Sequence, residues 1–324
     1  MSDWPELRRF TYSHLPIAAV LTLAALINQS HPFANYGWLV WPLAAATHFF
    51  LMRGHGRLSD EKWQTPWHIV GVWWLLVIAS FELRWHFAQL GDQYSAWNNL
   101  GWALVPLAYI WWAAIWSRPS PWPMTRFLEA YRKHAALPVA ALLALWLLAT
   151  NFVSNGAAQP LPYVPVLNPL ELTQIAGLLV IVQWLKTNAP LKEISFLQRA
   201  GILAYSFICL TAGVFRAVHH WAGVPWQLDA LLKSLLLQGS LSVVWSLAAG
   251  AIMLLANRRG KRALWMVGAG LIAVVVGKLF LVELSHAGTV ERIVSFIVVG
   301  ILLLALGYFA PVPPKKDPEK AAST

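Results

Sequence analysis

Ten apolar stretches, separated by short polar or proline-containing segments, divide the chain from end to end. Most are close to the roughly 20 residues that a helix needs to cross the hydrocarbon core of a bilayer. Transmembrane β-strands would instead give alternating segments of about 10 residues. The pattern predicts ten transmembrane helices, at residues 14–29, 36–52, 67–86, 98–116, 135–153, 169–187, 198–220, 230–256, 263–284 and 291–309.

The composition supports a membrane protein. Of the 324 residues, 58% are hydrophobic and only 12% are charged, and the mean hydropathy is +0.55. A soluble domain usually has about 25% charged residues. The single cysteine, Cys209, lies in an apolar run and excludes an internal disulfide. No small-residue cleavage site follows the first apolar run, so we expect an uncleaved first span.

The basic residues predict the orientation. The net charge of +10 would favour nucleic-acid binding in a soluble protein, but lysine and arginine also collect in the cytoplasmic loops of membrane proteins. All but five of the 24 lysines and arginines fall in alternate loops or at the two termini, whereas the loop at 154–168 has none. We therefore expect no nucleic-acid partner, both termini in the cytoplasm and an inner-membrane location.

The five exceptions lie at or just inside the outer ends of the predicted spans. Ionisable groups inside a membrane are costly, and they normally face the bundle interior or a cavity. Six acids and four histidines lie on the same side of the predicted topology. The five bases are Arg84, Arg216, Lys233, Lys278 and Arg292; the acids and histidines are Glu82, Asp92, Glu171, Asp229, Glu283, Glu291, His86, His219, His220 and His286.

Helical spacing groups several of these residues. Arg216, His219 and His220 stand at i, i+3 and i+4, so one face of the seventh span carries all three. Along the eighth span, a serine or glutamine recurs every four residues, and such a polar stripe should face other helices or water. Lys278 lies roughly 21 Å along the ninth span. We expect these three spans to converge, and the stripe consists of Ser234, Gln238, Ser242 and Ser246.

Arginine and lysine in a partly dehydrated cavity suit a phosphate or carboxylate, and a neighbouring histidine or glutamate can act as general base. The hypothesis therefore assigns two roles to the residues on the outer side. The candidate catalytic residues are His219, His220 and Glu283, and the candidate substrate-binding residues are Arg84, Arg216, Lys233, Gln238, Lys278, His286 and Arg292. Adjacent histidines on a helix cannot readily chelate one ion, so we predict no metal and no cofactor.

Each feature also has a structural interpretation. An isolated histidine near the interface usually donates a structural hydrogen bond, and Asp229 with Lys233 forms an ordinary i,i+4 pair. The same ionisable groups would also serve a transporter or flippase for an anionic substrate, or a non-catalytic protein of envelope assembly. The sequence leaves these three alternatives open.

The last third of the chain resembles a bacterial family. The motifs FRAVHHWAGVPW, QGSLSVVWSLAAGAIML and RALWMVGAGLIAVVVGKLFLVELSHAGTVERIVSFIVVGILLLALGYFAPVPP, within residues 198–314, are similar to predicted inner-membrane proteins grouped under a domain of unknown function. The resemblance implies a multi-pass membrane protein. It also implies a longer architecture with further upstream spans, of which these residues would be the C-terminal portion, and it supplies no catalytic residues.

We therefore predict an all-α integral membrane protein with about ten transmembrane helices and both termini cytoplasmic. Residues 1–309 would form a single polytopic domain, and 310–324 a disordered cytoplasmic tail. The leading functional hypothesis is an enzyme, such as a transferase, acting at an outward-facing cationic cavity on an anionic lipid-linked or envelope-glycan substrate. The expected partners are membrane lipids, this substrate and a periplasmic or membrane protein.

Overall fold

The computed structural model describes residues 13–55, 61–115, 122–188 and 196–280, together with 293, 296, 297, 300, 301, 304 and 308. The chain divides into two compact units, Met1–Cys209 and Leu210–Thr324. Secondary structure in the described part is helical, apart from one isolated β-bridge between Ala158 and Leu161.

In its described residues, the first unit contains seven helices and the first half of an eighth. The helices are α1 (His14–Asn28), α2 (Gly37–His55), α3 (Glu61–Ala88), α4 (Ala96–Ile115), α5 (Met124–Glu129), α6 (Ala136–Val153), α7 (Pro169–Asn188) and α8 (Phe196–Ala222). The central helix is α4, which packs against α3, α6 and α7. Its buried face is made of small and aliphatic residues, including Ala113 and Ile110, so neighbouring backbones can approach closely.

A six-residue π-helical turn, Ala130–Ala135, joins α5 to α6. Tyr131 in this turn is fully buried, and its backbone oxygen accepts a hydrogen bond from the Tyr109 hydroxyl at 2.7 Å. The π-helical turn therefore positions Tyr131 against α3 and α4. Such turns within α-helices often occur at functional sites.

The loop 154–168, predicted to face the periplasm, folds back onto the start of α4. Ala96 N donates to Ala157 O at 2.7 Å, and the Ser154 hydroxyl donates to Tyr94 O at 2.8 Å. Asn168 accepts from Leu170 N at the start of α7. Because its backbone and side-chain groups are paired in this way, the loop is an integral part of the fold.

The second unit contains the end of α8, then α9 (Leu228–Lys233), α10 (Leu235–Arg258) and α11 (Arg262–Lys278). Helices α10 and α11 lie close together at Gly268, where an added Cβ would stand 2.5 Å from Met253 Cγ and 2.9 Å from Ala249 O. The predicted span 230–256 is wrong as one continuous helix. Ser234 has an extended backbone (φ −72°, ψ 116°), so the helix is interrupted between α9 and α10.

Apart from the eighth, which is interrupted at Ser234, the first nine predicted spans coincide with helices wherever the structure describes them, although α3 starts before residue 67 and the fifth begins with α5 before residue 135. Four described helices are long and apolar enough to cross a membrane: Gln64–Ala88, Thr125–Val153, Leu197–Ala222 and Leu235–Arg258. Helix α1, at 15 residues, spans only about 22 Å. The structure thus establishes an all-helical protein with several candidate spans; the number ten, the single domain and the orientation stay predictions.

Candidate functional site

Arg216 lies on α8, six residues before the helix ends at Ala222, and its side chain is fully buried. It belongs to the candidate membrane span Leu197–Ala222. A buried arginine in an apolar span is costly unless its charge is balanced. Within the FRAVHHW motif, Arg216 is therefore the charged residue whose burial most needs an explanation.

Lys278 occupies the last turn of α11, and its ammonium group reaches across to α10. Lys278 Nζ donates to Gln238 O at 2.8 Å and to Ser242 Oγ at 2.9 Å. Ser242 is fully buried, and its hydroxyl also donates to Gln238 O at 3.1 Å. The expected contact between the ninth span and the polar stripe of the eighth is confirmed.

Trp245 connects the three helices of this unit. Its indole nitrogen donates to Thr211 Oγ1 on α8 at 3.1 Å, while its ring packs against Val275 and Leu279 at the end of α11. Along the respective helix axes, Arg216 lies five residues beyond Thr211, about 7.5 Å, towards the C-terminal end of α8. Ser242 precedes Trp245 by three residues, about 4.5 Å, towards the N-terminal end of α10.

Counted along antiparallel helix axes from the Thr211–Trp245 bond, Arg216 and Ser242 lie on the same side of that bond, at depths that differ by about 3 Å. We call Arg216, Gln238, Ser242 and Lys278 the cationic layer. Trp245 packs directly below this layer. Val218 of α8 and Leu241 of α10 belong to the apolar cluster that joins the two helices next to it.

His219 is oriented by the end of its own helix. Its Nδ1 lies 2.6 Å from Val224 O, and its ring stands 5.6 Å from that of Trp226. Gly223 takes a positive φ of 69°, which lets the chain turn back after α8. Since a carbonyl can only accept, Nδ1 carries the proton and Nε2 of the neutral ring is the acceptor.

His220 contacts the His219 ring edge-on, with ring centroids 4.7 Å apart. Both histidines are half-buried. Of the two histidines among the candidate bases, His219 has the fixed tautomer that a general base requires.

The break at Ser234 removes the Lys233 side chain and the Gln238 side-chain amide from the layer. Lys233 pairs with Asp229 at 2.8 Å on the exposed face of α9, so this pair is a surface salt bridge. The Gln238 side-chain amide donates to Leu232 O at 2.9 Å and caps α9. Ser234 itself caps α10 by accepting from Leu237 N. Gln238 thus contributes its backbone oxygen to the layer rather than its side chain.

Ser246 lies one turn below Ser242 on the same buried face of α10. Its hydroxyl is buried and has no hydrogen-bond partner among the described residues. A serine in a helix can usually bond the carbonyl four residues earlier, as Ser242 does. Ser246 therefore leaves a polar atom directed into the packed interior below the layer.

Arg84 belongs to the first unit. Its guanidinium stands 4.9 Å from the Trp102 ring centroid, in a cation–π contact. The α3 backbone at Arg84 also lies against Gly101 of α4, where a Cβ would come within 2.4 Å of the Arg84 Cα. This arginine has an aromatic partner and a place in helix packing.

Glu82 is a structural acid. Its carboxylate contacts His31 Nδ1 and His86 Nε2, each at 2.9 Å, and accepts from Phe33 N at 2.9 Å. His31 also stacks on Trp85. These bonds connect the turn between α1 and α2 to the C-terminal end of α3. Glu171 likewise accepts from the Tyr163 hydroxyl at 2.7 Å within the 154–168 region.

Three predicted site residues, Glu283, His286 and Arg292, lie outside the described residues, as does the predicted tail 310–324. Within the described ranges, no group of three or more histidines, cysteines or acids could hold a metal ion.

Sequence reasoning missed a histidine group at the opposite ends of the first spans. His14 Nε2 lies 2.7 Å from His48 Nδ1, and His68 Nδ1 lies 2.8 Å from the Tyr131 hydroxyl. His48 and His68 are both buried, and Gly71 leaves room for the His48 ring. The signal was available, because each histidine falls within five residues of the inner end of its predicted span.

The apolar helices and the buried charges at their ends define the class: this is a multi-helix membrane protein. A family model described as predicted membrane protein, DUF2339, matches residues 2–313, and the chain belongs to this family. The match confirms the resemblance seen at 198–314 and extends it to nearly the whole chain. No curated protein and no solved structure matches the chain.

Proposed function

We propose that the protein is an inner-membrane enzyme that binds an anionic, lipid-linked or envelope-glycan substrate at the cationic layer of its second unit. The main support for this proposal is that two positively charged side chains lie among the packed helices of the second unit. Arg216 is fully buried on α8, and the Lys278 ammonium is held between helices by Gln238 O and Ser242 Oγ.

A lysine this close to a helix end could extend its ammonium to the membrane surface. Lys278 instead turns towards α10 and bonds a fully buried serine. Preorganised cations at a partly dehydrated site are suited to phosphate or carboxylate oxygens, and they stabilise negative charge that develops during group transfer.

In this proposal, Arg216 and Lys278 hold the anion, and His219 accepts a proton through Nε2 while Val224 O fixes its tautomer. This role requires a substrate hydroxyl or water within hydrogen-bond reach of Nε2. Glu283 and His286 remain candidates for the same site from the sequence, and His220 is the neighbouring alternative to His219.

Transport is the second candidate function, and a specific observation favours it. The buried Ser246 hydroxyl continues the polar stripe below the layer, and the eighth span is broken at Ser234. Interrupted helices and buried polar groups are features of transporter binding sites. A flippase would move the anionic group along this stripe instead of transferring it.

The test compares Arg216→Ala, Lys278→Ala and Lys233→Ala in the full-length protein. Thermal unfolding in detergent measures the fold, complementation of a deletion strain measures activity, and the rise in Tm on adding a polyprenyl phosphate measures binding. We expect Arg216→Ala to melt near the wild type and Lys278→Ala to melt a few degrees below it, because the latter loses its bonds to Gln238 O and Ser242 Oγ. Both variants should still fold, lose the ligand-dependent rise in Tm and fail in complementation.

Lys233→Ala removes an equal charge from an exposed pair and should behave as wild type. Lys278→Arg, which keeps the charge but changes its shape, should restore part of the activity if electrostatics dominates. If both alanine variants misfold, or if both complement fully, the charges are structural and the protein is an assembly scaffold. Loss of complementation by Ser246→Ala, with polyprenyl phosphate binding retained, would instead favour transport.

A further inference from the structure

An apolar groove of about 400 Å³ lies in the first unit between α2, α3, α4 and the π-helical turn. Its α3 wall runs from Val72 to Ala79, which corresponds to a length of roughly 10 Å. The remaining lining residues are Phe49, Leu75, Leu76, Tyr109, Trp112 and Tyr131.

The two tyrosines present rings rather than hydroxyls to the groove. Tyr109 donates to Tyr131 O at 2.7 Å, and the Tyr131 hydroxyl bonds His68 Nδ1 at 2.8 Å. Both polar groups are therefore satisfied within the protein, and the groove suits a hydrocarbon occupant.

One end of the groove carries aromatic and basic residues. Trp122 stands edge-on to Phe49 at 6.5 Å and to His68 at 6.0 Å. The Arg53 guanidinium lies 6.0 Å from the same indole ring, and Arg126 lies over Phe127 at 5.5 Å. Arg53 follows Phe49 by one helical turn on α2, so the exposed guanidinium is one turn beyond the end of the groove.

We propose that this part of the first unit binds one anionic phospholipid, with an acyl chain in the groove and the phosphate at Arg53 and Arg126. Basic residues between transmembrane helices, next to the membrane surface, bind anionic head groups. The tryptophan between groove and arginine is suited to the depth at which head groups meet acyl chains. The orientation prediction assigns this end of α2 to the cytoplasmic leaflet.

The size of the groove favours a lipid over a helix of a partner. A helix with side chains has a diameter of about 10 Å, so about 400 Å³ would hold no more than roughly one turn of it. An extended acyl chain is much narrower, and it can follow the wall from Val72 to Ala79.

The experiment measures lipid retention by native mass spectrometry, and the Tm, of the full-length protein in detergent. The added probes are phosphatidylglycerol and phosphatidylcholine. The wild type should retain phosphatidylglycerol preferentially. Arg53→Gln should weaken phosphatidylglycerol binding about fivefold, the equivalent of about 1 kcal/mol per basic residue at the surface. It should weaken phosphatidylcholine binding less, because that head group carries no net charge.

Ala79→Phe would fill the exposed end of the groove and should reduce the binding of both lipids. Arg258→Gln removes an exposed arginine of the second unit and is the matched control. Equal retention of the two lipids by the wild type, or unchanged phosphatidylglycerol binding in Arg53→Gln, would overturn the proposal. So would an Ala79→Phe variant that dissociates an oligomer while binding phosphatidylglycerol normally, because the groove would then hold a protein partner.

Discussion

Two serines on α10 offer a sharp test of the packing around Lys278. Ser242 and Ser246 are one turn apart and both buried, so the same change to alanine removes the same atom from similar surroundings. Ser242 Oγ accepts from the Lys278 ammonium at 2.9 Å, whereas Ser246 Oγ has no partner in the part of the chain that the structure describes. We predict opposite effects on stability.

The magnitudes follow from these contacts. A hydrogen bond to a charged group contributes about 1.5–3 kcal/mol, and Ser242→Ala should lose most of it, although Lys278 keeps Gln238 O. Burying a hydroxyl without a partner costs about 1–3 kcal/mol, which Ser246→Ala would recover. The free energies of unfolding of the two variants should therefore differ by about 2 kcal/mol or more.

Thermal unfolding of the full-length protein in detergent, followed by circular dichroism, provides the measurement. For a protein of this size, we expect a shift of about 2 °C per kcal/mol. Ser242→Ala should melt below the wild type, and Ser246→Ala at or above it. A Ser246→Ala variant that melts as low as Ser242→Ala would show that Ser246 has a bonding partner and that the assignment of the unsatisfied hydroxyl is wrong.

Two further predictions concern helix packing and topology. Gly101→Ala should destabilise the protein by about 1–3 kcal/mol, because the new Cβ would meet the Arg84 backbone. Gly270→Ala, which has open space around the new Cβ, should stabilise the protein by up to about 1 kcal/mol. Equal Tm shifts of the two variants would contradict this prediction. Cysteines at the exposed Leu161 and at Ser323, introduced after the native cysteine is replaced, should react oppositely with an impermeant thiol reagent in intact cells, and equal labelling would refute the predicted orientation.

The positions of the helices could be predicted because apolar runs of span length are a strong signal. Their interruptions could not. Ser234 reads as one member of a four-residue repeat, and only the structure shows it as the cap of α10. The Gln238 amide then caps α9, because the break leaves the Leu232 carbonyl without a helical partner.

The candidate site was predicted in part, since charge in an apolar span is conspicuous while its partners are not. The burial of Arg216 and the reach of Lys278 to the polar stripe agree with the expectation from depth and spacing. Lys233 was grouped with them by position, yet it lies exposed beside Asp229. The role of Glu82 was also hidden, because His31 and Phe33 come from a turn about fifty residues earlier in the chain.

The boundary between the two units, Cys209–Leu210, falls in the middle of the unbroken helix α8. A gene cut at this boundary would leave each product with half a helix and with carbonyl or amide groups that have lost their partners across the cut. Independent expression of the units, and any evolutionary exchange of one of them between relatives, therefore has to include all of Phe196–Ala222 in one product. Arg216, His219 and His220 would then stay on the same product as the first unit's share of α8.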